Sequence, residues 1–266
     1  MNKANNKIDC DNNIIKNNII KNSIIKNKYK FFPKNKKELQ LIINNQIKKY
    51  GNNCNLNNID TSQITNMSGL FYNSKFNGYI SEWDVSNVID MSSMFYRSNF
   101  NRNISKWDVS NVTNMSSMFC HSEFNQNIGN WDVSNIIVMS WMFGYSKFNK
   151  DINDWNVSKV TNMTSMFYTS EFNQDISNWN VSNVDDMSDM FEYSKFNQSI
   201  NNWNVSNVTN MSWMFNKSIF NRDISNWINK LLKKCNMQNF GILNNIKINS
   251  YNDFKHYHRQ MILDKF

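Results

Sequence analysis

Tryptophan recurs at 83, 107, 131, 155, 179, 203 and 227, always 24 residues apart, and the series Met67 to Met211, Phe71 to Phe215, Phe76 to Phe220 and Ile80 to Ile224 keep the same interval. Fixed self-similarity on this scale marks a repeat architecture. Framed from Thr61, seven units follow without insertion or deletion: 61–84, 85–108, 109–132, 133–156, 157–180, 181–204 and 205–228. A unit of 24 residues cannot enclose a core alone, so its apolar face must be buried against the units before and after it, which predicts a solenoid. Inside each coil, Val88, Met91, Met94 and Phe95 recur at three to four residues and predict a helical turn, while Trp83 and Val85 differ by two and predict a short parallel β-strand. The Phe, Met, Ile, Val and Trp columns are expected in the interior. A residue present in every unit cannot define one particular site, so the tryptophans are read as packing.

The polar columns are read the same way. Ser74 to Ser218 and Asn77 to Asn221 sit between apolar residues, where a coil must turn, and are expected to make turn hydrogen bonds or amide ladders. The last position of the unit reads Asp84, Asp108, Asp132, Asn156, Asn180 and Asn204. Both residue types accept a backbone hydrogen bond, but only Asp serves a hard cation well, so a repeated calcium site is disfavoured.

At 111–119 the chain reads Asn-Val-Thr-Asn-Met-Ser-Ser-Met-Phe, followed by Ser122, Phe124, Asn125, Ile128, Trp131, Asp132, Val133 and Ser134. This resembles the BspA-like leucine-rich repeat family, the mycoplasma-type repeat domain of unknown function, over about residues 60–228. Ile80-x-x-Trp83-x-Val85 can be laid on the strand core of leucine-rich repeats, with Val88 where many of them carry Asn. The resemblance implies a leucine-rich-repeat-like solenoid capped by helices, and binding rather than catalysis. Family members are mostly described as surface proteins implicated in adhesion, and similar Asn-rich versions occur in giant amoeba-infecting viruses. The 54 asparagines, together with abundant Ile and Lys, make a giant-virus member attractive, although AT-rich codons alone favour the same residues.

Residues 1–60 carry a net charge of +8, residues 61–228 carry −5 and residues 229–266 carry +5. Nucleic acid or lipid headgroups could therefore be met only by the flanks, not along the acidic body. Residues 1–30 read as a low-complexity basic arm, whose NNIIK-like repeats at 12–26 form either a mobile segment or a sticky one. Residues 31–60 are expected to hold a cap helix near 34–50, with Leu39, Ile42, Ile43, Ile47 and Tyr50 on one face, and the entry into the first unit. Residues 229–266 are expected to end in a second cap helix near 251–264, opened by Ser250-x-x-Asp253, with Tyr251, Phe254, His258, Met261 and Ile262 at helical spacing.

Cys10, Cys54, Cys120 and Cys235 are too far apart in sequence to suggest a zinc site or a small disulfide framework. The N-terminal residues lack the apolar run of an export signal, and no stretch approaches a membrane span. An intracellular location, host cytoplasm if viral, or a virion is expected. No Gly-rich phosphate loop or Ser-His-Asp pattern stands out; no metal and no cofactor are implied. Asp185, Asp186, Asp189 and Glu192 cluster in the sixth unit and read as a solvated acidic patch before a pair of acid–base catalysts. The informative positions are those that vary on the fixed scaffold. The fourth unit has Ile137 and Val138 where neighbours have Thr-Asn, and Trp141 where most have Ser, followed by Tyr145; the seventh repeats one change with Trp213. These five are the candidate partner-binding residues if they face solvent, and packing residues if they turn inward. The function expected is a non-catalytic scaffold for protein–protein interaction, with a structural virion or surface component as the alternative and an enzyme with an unrecognised site behind both.

Overall fold

A computed structural model describes residues 28–243 and 246–263. The NNIIK segment lies outside the described residues. The chain is a repeat protein in which each 24-residue unit is hydrogen-bonded to the next.

The backbone of a unit alternates between two kinds of bond. In the second unit the N–H groups of Met91, Ser93, Phe95 and Arg97 donate to the carbonyls of Asn114, Ser116, Met118 and Cys120 in the third, at 2.8–3.0 Å. The intervening N–H groups of Met94, Tyr96 and Ser98 instead donate three residues back, to Met91, Ser93 and Phe95. The carbonyls of Asp90, Ser92, Met94 and Tyr96 accept from Met67, Gly69, Phe71 and Asn73 of the first unit. Four peptide groups per unit thus point N–H forward and C=O backward along the repeat direction.

Neither the expected strand at Ile80–Val85 nor the expected helical turn at Val88–Phe95 forms. Both stretches are tandem β-turns: Trp83 N–H donates to Ile80 O, Val88 to Val85 and Met94 to Met91. Apolar residues three apart are the two ends of a turn, both facing inward, so a three-residue spacing arises without any helix. Ser93 and Arg97, with φ of 54° and 51°, interrupt any right-handed helix. Lateral β contact shrinks to single parallel bridges that run Asn66, Asp90, Asn114, Val138, Asn162, Asp186, Asn210, Asn236.

The interior is continuous, and the Phe, Met, Ile, Val and Trp columns are buried as expected. Phe71, Phe95, Phe119, Phe143, Phe167, Phe191 and Phe215 stack at 5.5–5.8 Å between units. Each tryptophan of the repeat also sends its indole Nε1–H to a backbone carbonyl 27 residues earlier, Trp83 to Leu56 and Trp107 to Ile80 through to Trp227 and Ile200, at 2.9–3.2 Å. A buried indole needs such a partner.

The amide ladder forms: Asn77 Oδ1 accepts from Asn101 N–H, Asn101 from Asn125, and so on to Asn197 and Asn221. Ser98 Oγ accepts from Phe100 N–H within its own turn. At the last position of the unit Asp84, Asp108, Asp132, Asn156, Asn180 and Asn204 all accept, through Oδ1, from the N–H two residues on. That Asx turn explains why Asp and Asn interchange.

Helix α1 (Lys36–Tyr50) starts at an Asn35 cap that accepts from Glu38 N–H and stops at Gly51, with φ of 83°. It buries Leu39 and Ile43 and half-buries Ile42 and Ile47, but Tyr50, expected on the same face, is exposed because the helix ends there. Its Gln40 donates to Leu70 O, one of the backward-pointing carbonyls of the first unit. At the other end come a 3-10 turn (Ser225–Asn229), strands β1 (Gly241–Leu243) and β2 (Ile246–Ile248), paired antiparallel, and helix α2 (Tyr251–Leu263). Ser250 caps α2 by accepting from Asp253 N–H. The helix buries Phe254 and Tyr257, a residue absent from the expected face, whereas Ile262 is exposed. Among the described residues no helix is long and apolar enough to cross a membrane.

Candidate interaction surface

Two columns of each unit hold the left-handed backbone. Gly69, Ser93, Ser117, Trp141, Ser165, Asp189 and Trp213 have φ of 54–62°, and Asn73, Arg97, His121, Tyr145, Thr169, Tyr193 and Lys217 have φ of 50–55°. Glycine and asparagine, which adopt this region at least cost, occur only in the first unit. Elsewhere the chain places bulky side chains in conformations that cost on the order of 1 kcal/mol or more each. Trp141 and Trp213 are two of these.

The aromatic residues of these columns and of the column just before the second (Tyr72, Tyr96, Cys120, Gly144, Tyr168, Glu192 and Asn216) form a surface row of rings. Tyr72 stacks on Tyr96 at 4.9 Å, Tyr96 meets the edge of His121 at 5.9 Å, and His121 stacks on Tyr145 at 4.1 Å. Tyr145 lies 5.1 Å from Tyr168, which lies 6.0 Å from Tyr193. Trp141 closes the row at its middle, 6.4 Å from Tyr145 and 5.3 Å from Tyr168. Arg97 sits over Tyr96 and Lys217 over Tyr193, which also accepts from Lys217 Nζ. Tyr72, Tyr145, Tyr193 and Trp213 are exposed, and Tyr96, His121, Trp141 and Tyr168 are half-buried.

Gly144 makes room for the indole in the middle of the row. A Cβ at that position would stand 2.9 Å from Trp141 Cε3 and 3.5 Å from Cys120 Sγ. Burial, with Arg97 nearby, lowers the His121 pKa, and burial, helped by a hydrogen bond with Tyr145, pushes the Tyr168 hydroxyl up to about 12. The ionisable side chains of the row's other positions are Arg97 over Tyr96, Lys217 over Tyr193, and the carboxyl groups of Asp189 and Glu192 in the sixth unit.

Of the five residues expected to bind a partner, Trp141 and Tyr145 come together in this row, and Trp213 occupies Trp141's column three units on. Ile137 is exposed on a different strip, whose N–H groups run Thr113 to Ile89, Ile137 to Thr113 and Thr161 to Ile137. Val138 is half-buried at a bridging position, where the other units carry an Asn or Asp that caps its own turn. Tyr72, Tyr96, His121, Tyr168 and Tyr193 escape a reading that compares units for unusual residues, because the aromatic character alternates between two adjacent columns. Reading both columns together would have found them.

The acidic cluster of unit six is less solvated than expected. Glu192 is 6% exposed and accepts from Asn216 Nδ2 at 2.7 Å. Asp186 Oδ1 accepts from Ser188 Oγ and its Oδ2 from Asn210 Nδ2. Burial, then a hydrogen bond with Glu192 and the charges of Glu192 and Asp186, push the Asp189 pKa up to about 6. Folded protein therefore holds this proton more tightly than unfolded chain, whose aspartate titrates near 3.9, and stability falls as pH rises from about 4 through 6. Asp189→Asn should raise stability at pH 7.5, on the order of 1 to 2 kcal/mol after discounting for the carboxylate's partial exposure, and the gain should vanish near pH 4. Urea denaturation of both proteins across that range measures it; a gain that does not change with pH would show that the Asp189 carboxyl does not titrate above its usual range in the folded protein.

A separate concavity is lined by Ser62, Gln63, Thr65, Asn87, Ile89, Asn111 and Thr113, none of which titrates near neutral pH. Among the described residues no group of three or more His, Cys, Asp and Glu side chains is placed to hold a metal ion.

A family model described as a Mycoplasma protein of unknown function, DUF285, matches residues 42–147, 98–193 and 137–252. The chain belongs to this family. The three matches overlap and together reach from α1 to the first residues of α2, so the DUF285 pattern takes in all seven units and parts of both ends. No curated protein and no solved structure matches the chain. DUF285 fixes the repeat and leaves the function of the surface row to be argued from its residues.

Proposed function

We propose that this DUF285 chain is a non-catalytic scaffold, a solenoid of seven coils of leucine-rich-repeat type, that binds a partner protein through the aromatic row. The observation that carries this reading is the unbroken sequence of ring contacts from Tyr72 to Tyr193 on an outer surface, held by left-handed backbone at Trp141 and Tyr145. Aromatic side chains give large contact area at low conformational cost, and Tyr and Trp anchor partner contacts. Ile137, Val138 and Trp213 are secondary candidates on this account. The excess of Asn, Ile and Lys supports placing the chain among Asn-rich giant-virus members of the family, and free, buried Cys54, Cys120 and Cys235 support a reducing, intracellular setting.

The test is affinity purification from the native host with the wild-type chain and the Trp141→Ala/Tyr145→Ala double variant. Both side chains lie outside the core, so the variant should keep its melting temperature within a few degrees while losing its captured partner. An unchanged set of captured proteins would overturn the reading.

A further inference from the structure

Residues of the first three units line a cavity of about 490 Å³ that shares no residue with the aromatic row. Its volume is that of a small-molecule site. Arg102 is fixed in its wall: Nε donates to Asn77 O at 3.0 Å, and the guanidinium lies over the Tyr79 ring, 5.1 Å from its centroid. Tyr79 is itself anchored, donating its N–H to Cys54 O and accepting at its carbonyl from Leu56 N–H. Lys106 lines the same cavity and stands where four other units carry Asn. In that column Asn130 and Asn202 donate Nδ2 to Ser105 O and Ser177 O of the unit before. Lys106 has no carboxamide, so the equivalent carbonyl, Ser81 O, lacks this partner. Gln126 spends its Nε2 on Asn101 Oδ1, and Asn103 Oδ1 accepts from Ser105 N–H. Gln126 Oε1 and Asn103 Nδ2 make no hydrogen bond among the described residues. Glu82 brings a carboxylate to the wall, with Lys28 in its field.

We propose that this cavity binds an acidic sugar, a pyranose carrying a single carboxylate. A guanidinium held through Nε and stacked on a ring presents its remaining N–H groups as a preorganised fork, which matches a carboxylate, and Lys106 adds a second cation. Arg102 and Lys106 against Glu82 leave a net +1 in the wall, which suits a monoanion and disfavours a phosphate dianion. The open carbonyl of Ser81, Gln126 Oε1 and Asn103 Nδ2 offer acceptors and a donor together, the mixture that sugar hydroxyls satisfy. An apolar acid of the same size would desolvate these groups without replacing their hydrogen bonds. Exposed Tyr79 and the Ile80 beside it give the C–H groups of the sugar ring an apolar contact. The molecule carries its own control. Arg222 occupies the Arg102 position five units on and donates Nε to Asn197 O at 2.8 Å, but Ser199 replaces Tyr79 and Asn226 replaces Lys106.

The experiment titrates the full chain at pH 7.5 with glucuronate, glucose, acetate and inorganic phosphate, by isothermal titration calorimetry. Glucuronate should bind roughly tenfold tighter than each of the other three. Arg102→Gln should weaken glucuronate binding by about tenfold, and Arg102→Lys should recover only part of that loss, because an ammonium cannot form the fork. Arg222→Gln should leave the affinity unchanged. Tyr79→Ala should weaken binding several-fold, and it decides the matter if Arg102→Gln melts well below Arg222→Gln. No binding of glucuronate, or equal binding of glucose, overturns the proposal, as does an affinity untouched by Arg102→Gln or by Tyr79→Ala. Acetate or phosphate binding as tightly as glucuronate overturns it too, the first by removing the sugar and the second by removing the preference for a single charge. Glucuronate binding should persist in Trp141→Ala/Tyr145→Ala, so this site and the scaffold reading stand or fall separately.

Discussion

Trp155→Ala should cost about 3 to 5 kcal/mol, the range for emptying a buried aromatic site. Trp155 is 3% exposed, packs 6.3 Å from Phe143 and sends its Nε1–H to Ile128 O. The alanine variant loses the ring's buried area, leaves a cavity in the fourth unit, and orphans the carbonyl of Ile128. Trp155→Phe separates these effects, because it keeps most of the apolar surface and loses the hydrogen bond, for which about 1 to 2 kcal/mol is expected. Stability in a repeat protein is a sum of unit terms and neighbour terms, so damage at a central unit weakens coupling between the two ends. Guanidinium denaturation followed by circular dichroism should therefore show a lower midpoint for Trp155→Ala and a broadened or divided transition. A loss below about 1 kcal/mol would contradict the account of the indole column as packing.

The second large effect distinguishes tandem turns from helix. Ser117 has φ of 56° and donates its N–H to Ser140 O in the next unit. Proline there is locked near −65° and has no N–H, so Ser117→Pro should cost about 3 kcal/mol or more. Ser117→Gly should be close to neutral, because relief of left-handed strain offsets the greater freedom of the unfolded chain. The first unit already carries Gly69 in this column, with φ of 62°. If the segment were helical, glycine would cost up to about 1 kcal/mol relative to alanine, and Ser117→Ala would be the stabilising change. Melting temperatures of the three variants decide between the two geometries.

The 24-residue period, the buried columns, the amide ladder and both cap helices were legible in the sequence because each is a column property that repetition amplifies. The local conformation was not. Met91 and Met94 read equally well as one helical face and as the two ends of a β-turn, and only the left-handed backbone at Ser93 and Arg97 separates them. Serine and arginine carry no signal for that conformation, whereas Gly69 and Asn73 do, but only in one unit. The site was half legible for a related reason. Trp141 and Tyr145 differ from their column neighbours and were visible as exceptions, while Tyr72 and Tyr96 agree with theirs and looked ordinary. Ile137 joined the same candidate list as another departure of the fourth unit from its neighbours, yet side chains four residues apart belong to different strips once the chain turns between them. Glu192 was read as solvated because clustered carboxylates usually face water; its partner Asn216 lies 24 residues on.

The Asx turn at the end of each unit asks only for an oxygen that can accept one N–H, and carboxylate and carboxamide meet that demand equally at Asp132 and Asn156. Electrostatic character is thereby uncoupled from architecture at six sites. Single-base codon changes can make the body more acidic or more neutral while every unit keeps its shape, so a lineage under pressure to follow a changing binding partner can retune long-range attraction without rebuilding its framework.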